Sequence, residues 1–215
     1  MAETSHPAAV SRRFLLAAGL AALPLPAWAA RGKVVTILGD SITAGLGLQA
    51  RDALPNQLHL ALERLGVPNI VRGAGISGDT TADGLGRLGF SIRPETSVVV
   101  VALGGNDLLQ GFDPAVTRAN LDKIVKALLA RHKAVVLCGI AAPPEIGRDY
   151  ARDFDAAFAA VAKAHRVAFY PNLMAGVERT PALKQSDGLH PNARGVKVIA
   201  KRLAPVVAKV IRRLP

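Results

Sequence analysis

Residues 97–103, Ser-Val-Val-Val-Val-Ala-Leu, form an almost unbroken β-branched run. A run of this kind suits a strand covered on both faces, at the centre of a parallel sheet. Such a strand needs a layer of helices on each side, and the rest of the chain supplies them. "KVVTILG" (33–39), "NIVRGA" (69–74), "KAVVLCGI" (133–140) and "VAFYP" (167–171) read as four further strands. Between them, residues 54–65 place Leu58, Leu62 and Leu65 on one helical stripe closed by Gly66. Residues 114–131 open with Asp113-Pro114, a cap followed by proline at the first helical position. Residues 148–165 predict another helix, and a last one is expected from about Asn192 to Arg213, with Pro205 kinking or breaking it. Alternating strands and helices give βαβ units, hence an α/β fold: a three-layer α/β/α sandwich on a five-stranded, mainly parallel sheet.

The first residues stand apart from this pattern. Arg12 and Arg13 precede an apolar run from Phe14 to Leu25, and Ala27-Trp28-Ala29 has the form of a signal-peptide cleavage site. The run is too short to span a membrane as a helix. The arginine pair also fits a twin-arginine export signal. Residues 1–29 are therefore expected to be a leader, leaving residues 30–215 as one domain that begins at Ala30 and works in the periplasm or outside the cell.

Removing the leader takes Arg12, Arg13 and Glu3 with it and lowers the net charge only from +11 to +10. The cations fall mostly on predicted helix faces, such as Lys123, Lys126, Lys197 and Lys201, where solvated faces account for them. Aromatic residues make up 4% of the chain, too few for a stacking surface. No nucleic-acid partner is expected, while peripheral contact with anionic lipid or envelope polymers stays open. Cys138, the single cysteine, rules out an internal disulfide and reads as a small core residue.

In parallel sheets ligands bind beyond the carboxyl ends of the strands. Gly39-Asp40-Ser41 follows the first strand, so Ser41 stands at a sharp strand-to-helix turn, as a nucleophile or as the helix cap that serine favours. The stretch is not G-x-S-x-G, since Thr43 takes the second glycine's place, and no dinucleotide or phosphate-loop pattern is present. "GAGISGDTT" (73–81) follows the second strand, where Gly78 lets a backbone N–H approach a ligand or forms an ordinary tight turn. After the third, Gly104-Gly105 delivers Asn106, an uncharged amide that can face developing negative charge or cap a loop.

Acyl transfer needs a hydroxyl nucleophile, a base, a carboxylate that orients the base, and donors for the oxyanion. His59, His132 and His165 lie on or at the ends of predicted helices, and His6 falls in the leader. His190 alone sits in a loop with glycine and proline, "SDGLHPN" (186–192), with Asp187 three residues ahead. Asp187 can accept from one ring nitrogen while the other faces Ser41.

Taken together, "ILGDSIT", "GAGISGDTT", "LGGNDLLQGF" and "DGLHPN" resemble the four ordered blocks of the GDSL, or SGNH, hydrolase superfamily, and within it the exported bacterial thioesterases, lysophospholipases and arylesterases. The resemblance covers roughly residues 33–204. It implies a flavodoxin-like sheet and a serine hydrolase of carboxylic esters or thioesters that uses no metal or cofactor. It assigns Ser41 as nucleophile, His190 as general base and Asp187 as its partner. The oxyanion donors would be the N–H groups of Ser41 and Gly78 and the Asn106 amide, while Asp40 and Asp79 would support the catalytic turns by hydrogen bonds. The segments that shape the acyl pocket fall at Leu46–Leu48, Leu108–Phe112 and Ala141–Arg148, which gives Leu46, Leu48, Leu108, Leu109, Phe112 and Pro143 as substrate-binding candidates. The expected partners are small-molecule or lipid esters, with the protein a monomer. Two rivals remain at this stage: a carbohydrate O-deacetylase of the same superfamily, and a basic exported binding module without turnover.

Overall fold

The computed structural model describes Met1, Ala2 and residues 32–215. The expected leader from residue 3, its Ala27-Trp28-Ala29 cleavage site and the start at Ala30 lie outside the described residues. Five strands, β1 (Lys33–Gly39), β2 (Asn69–Gly75), β3 (Thr96–Ala102), β4 (Ala134–Cys138) and β5 (Ala168–Tyr170), pair in parallel in the order β2-β1-β3-β4-β5. The order turns back on itself around β1, so the switch point where such sheets bind ligands lies at the end of the first strand.

The valine run behaves as its composition demands. Val98, Val100 and Ala102 face one half of the core, and Val99, Val101 and Leu103 the other, all of them buried. Each such valine contributes roughly 1.5–3 kcal/mol through its burial. The helices α2 (Leu54–Arg64) and α8 (Ala193–Ile211) cover the first face. The helices α6 (Pro114–Ala130) and α7 (Arg148–His165) cover the second, with Phe154 and Phe158 packed edge to face in the core. Asp113 caps α6 by accepting the Ala115 N–H at 2.8 Å. Cys138 is fully buried, and desolvation pushes its thiol up to about 12.

Two expectations about helices give way. Leu65 does not continue the α2 stripe: the helix ends at Arg64 and Leu65 lies exposed, while Leu54, Leu58, Ala61 and Leu62 carry the contact. Pro205 does not break α8 either. It stands on the exposed face, and the Lys201 carbonyl that loses its partner is also on an exposed residue, open to water. Leu203, Ala204, Val207 and Ala208 keep the buried face continuous across it.

Candidate active site

Beyond β1 the chain turns at once into α1 (Ser41–Ala44), a single helical turn that ends at Gly45 in the left-handed region (φ 78°). Two glycines make room for it. A Cβ on Gly39 would lie 2.1 Å from Thr43 Oγ1, and one on Gly75 would lie 2.4 Å from Ala44 N and 2.6 Å from Asp40 O. The helix cap is Asp40, not Ser41: Asp40 Oδ1 accepts the Ile42 N–H at 3.0 Å. Burial pushes the Asp40 carboxyl up to about 6, against the lowering effect of that hydrogen bond. Ser41 thus becomes the first residue of the helix, with its hydroxyl free for another partner.

That partner is His190. Ser41 Oγ lies 2.9 Å from His190 Nε2, and His190 Nδ1 lies 2.6 Å from Asp187 Oδ2. Asp187 Oδ1 accepts the N–H groups of Leu189 (2.9 Å) and His190 (3.0 Å), while Gly188 takes a φ of 69° to let the loop close. The Leu189 N–H, the imidazole and the His190 N–H together hold the Asp187 carboxyl down to about 2. An ionised carboxylate can only accept, so the hydrogen-bond partners assign the proton to Nδ1 and leave Nε2 as acceptor for the serine hydroxyl.

The loop that carries His190 is tethered at both ends. Gln185 N–H donates to the His190 carbonyl (2.8 Å), and Gln185 Nε2 donates to the Pro191 carbonyl (3.1 Å) and across to that of Leu46 (2.8 Å), behind the serine. Asn192 caps α8 through the Arg194 and Gly195 N–H groups.

The candidate oxyanion donors gather opposite. Gly78 adopts a φ of 91° in a turn closed by Asp79 N–H on the Ile76 carbonyl (3.2 Å). Asn106 sits in α5 (Gly105–Leu109), and one of its amide protons goes to the Asp79 carbonyl (2.8 Å), which leaves the other unspent. Neither Ser41 N–H nor Gly78 N–H donates to another described residue. Two networks behind them fix the geometry. Arg87, between α3 (Thr81–Gly86) and α4 (Leu88–Ser91), pairs with the Asp79 carboxylate and donates to the Gly39 carbonyl at 2.8 Å. Asp107, fully buried, accepts from Thr81 N–H (2.8 Å), from the Thr81 hydroxyl and from the Thr117 hydroxyl (3.2 Å), joining α3, α5 and α6.

A cleft of about 490 Å³ opens beside Ser41, with Gly78, Asn106 and His190 in its wall. Of the substrate-binding candidates, Leu46, Leu108, Leu109 and Pro143 line it. Leu48 does not: its N–H returns to the Gly45 carbonyl (2.9 Å) and its side chain packs against the core. Phe112 is also outside the lining, because Gly111 (φ 67°) turns the chain away and the Phe112 carbonyl accepts from Tyr150. Ile42, Ile140, Ile146 and Met174 complete the apolar wall, and Asn172, Glu178 and Lys184 add polar groups. None of these seven was singled out in the sequence. No local spacing marks them, although Ile146 lies within the Ala141–Arg148 segment expected to shape the pocket and Ile140 adjoins it. Arg87 and Gln185 went unmarked too, since their partners are distant in the chain.

Comparison with known proteins adds to this geometry. Residues 37–198 match the model of a family described as GDSL-like lipase/acylhydrolase. The chain is 37% identical over 180 residues to esterase TesA of Pseudomonas aeruginosa, across 83% of this chain and 90% of that one. It is 36% identical over 184 residues to thioesterase 1/protease 1/lysophospholipase L1 of Escherichia coli K12, across 83% and 87%. Among solved structures, AlinE4, an SGNH-hydrolase family esterase, superposes with a TM-score of 0.71 at 38% identity, across 83% of this chain and 96% of that one.

Proposed function

The chain belongs to the GDSL-like lipase/acylhydrolase family and is an ester-hydrolysing enzyme, and from that premise we propose that Ser41, His190 and Asp187 carry the reaction. Ser41 Oγ attacks the acyl carbonyl as His190 Nε2 takes its proton. The oxyanion that forms is met by the N–H groups of Ser41 and Gly78 and by the free Asn106 amide proton. Each such donor is worth very roughly 2.7–4 kcal/mol in the transition state. The tetrahedral intermediate collapses, His190 gives the proton to the departing alkoxide or thiolate, and an acyl-serine remains. Water then repeats the sequence, with His190 as its base, and releases the acid. Asp187, ionised, holds the Nδ1 proton throughout. The route needs no metal or cofactor.

The observation that carries this reading is the chain of contacts from Ser41 through His190 to Asp187, 2.9 and 2.6 Å, at the mouth of an apolar cleft. The size and apolar wall of the cleft favour acyl groups well beyond acetyl, hence lipid-derived or thioester substrates ahead of acetylated carbohydrate. The working form is one domain, residues 30–215, exported to the periplasm or beyond and monomeric. Hydrolysis of a p-nitrophenyl ester series from acetate to palmitate, by protein lacking residues 1–29, tests the reading. Expected is a maximum at medium or long chains that Ser41→Ala lowers by about ten-thousandfold or more. Serine-independent turnover would overturn the mechanism, and activity confined to acetate would overturn the substrate class.

A further inference from the structure

Five parallel strands share a starting edge, opposite the cleft, and cations crowd it. Arg93 precedes β3, Arg131 and Lys133 precede β4, and Lys163 and Arg166 lie just ahead of β5. The long helices run back to the same edge, where Arg64 closes α2 and Lys209, Arg212 and Arg213 close α8. Arg212 donates to the Leu65 carbonyl (2.8 Å) and Lys33, opening β1, to that of Pro215, so both ends of the described domain meet there.

Helix dipoles explain only part of this. Each long helix carries roughly half a negative charge at its C-terminus, so the four that end here call for about two cations. The edge holds several times that. Arg64, Arg93, Lys163, Arg166, Lys209 and Arg213 are exposed, and none pairs with a carboxylate among the described residues. The nearby anions are largely spoken for: Glu95 pairs with Arg72, and Asp122 accepts from His165 (2.7 Å). Read along the chain these cations look scattered; the fold collects them.

We propose that this edge is a docking surface for anionic phospholipid bilayers, on which the enzyme rests with its cleft turned away from the lipid. The inference rests on the exported form proposed above. β1 begins at Lys33 on this edge, so the chain ahead of it, with the apolar run Phe14–Leu25, is joined to the fold on this side. Clustered cations bind anionic headgroups with an energy that grows with each residue near the surface. No helix among the described residues is long and apolar enough to cross a membrane, so the contact is peripheral. The rival surface is the cleft rim, where Leu46, Leu109, Ile146 and Leu189 are exposed. Docking through that rim would need neither anionic lipid nor these cations.

All the strands and helices of the described residues lie within 33–211, so protein lacking residues 1–29 serves as the test form. Its sedimentation with phosphatidylcholine vesicles, with and without phosphatidylglycerol, is measured at low and high salt. Binding is expected only with phosphatidylglycerol and only at low salt. Arg93→Glu, Lys163→Glu and Arg213→Glu combined should weaken it roughly a hundredfold, with turnover of a soluble ester unchanged within twofold. The last readout excludes misfolding. Ser41→Ala should bind as the parent does, so a failure of the catalytic scheme leaves this result intact. Equal binding to neutral vesicles, binding undiminished in the triple variant, or binding to dextran sulfate without binding to vesicles would each overturn the proposal.

Discussion

The two edges of the sheet are built from the same strands and differ in almost every physical respect. At the carboxyl edge, side chains are held by several partners each: Asp187 by two backbone N–H groups and an imidazole, Asp107 by two threonines, Arg87 by a carboxylate and a carbonyl. At the starting edge Arg64, Arg93, Lys163, Arg166, Lys209 and Arg213 stand in solvent and pair with no carboxylate among the described residues. Parallel topology sets this contrast. It sends every long helix's N-terminus to one edge and its C-terminus to the other, so anions are favoured at the first and cations at the second. The net charge of +11 therefore says little about the active site, whose nearest charges include Asp40, Asp79 and Asp187.

The contrast predicts a descending order of effects. The largest is at the orienting carboxylate. Asp187→Asn should lower kcat about ten-thousandfold by favouring the wrong imidazole tautomer, with a modest loss of thermal stability near neutral pH, because the side chain is half exposed and solvent screens its contribution. The folded pKa of Asp187 is depressed, so its stabilising contribution is full above about 4 and fades as pH falls towards about 2. Melting curves of parent and variant should therefore diverge least at the acid end.

Next comes the clamp. Arg87→Met leaves the buried Asp79 carboxylate without its partner and should cost about 3–5 kcal/mol. It also releases the Gly78 turn, so ester turnover should fall with stability when both are measured on one preparation. An Arg87→Met protein that melts like the parent would show that the networks behind the site are dispensable and erase the contrast.

A smaller effect, of opposite sign, belongs to Asp40. Its folded pKa is raised to about 6, so its burial favours the protonated form, and the penalty grows as pH rises from about 4 through 6. Asp40→Asn keeps an acceptor for the Ile42 N–H and should raise stability by about 1–3 kcal/mol at pH 8, with almost no gain at pH 4. Denaturant unfolding at the two pH values checks the difference.

The smallest effects lie at the starting edge. Arg93→Glu alone should shift stability by no more than about 0.5 kcal/mol and leave kcat unchanged. A large loss there would mean that the edge is structural after all.

Much of this was legible in the chain because it is written locally. The Val98–Val101 run announced a strand covered on both faces, and Asp187, Gly188 and His190 announced a turn able to aim an imidazole. The structure brings Ser41 to that imidazole from 149 residues away. Unread were the features that depend on which segments become neighbours. Arg87 has meaning only beside Gly39, 48 residues earlier, and Gln185 only beside Leu46, 139 earlier. Leu48 and Phe112 had the right chemistry for a pocket wall, but left-handed glycines beside them send the chain elsewhere. Pro205 misled because helix propensity is local, whereas the burial that overrides it is not.

The solitary thiol in β4 makes the molecule its own unfolding gauge. Cys138 is sealed in the sheet and held in its protonated, unreactive form. A maleimide can reach it only when the strands part, and no second sulfhydryl competes for the reagent. The labelling rate in native buffer would therefore report how often the centre of the protein opens, without denaturant, probe insertion or mutation.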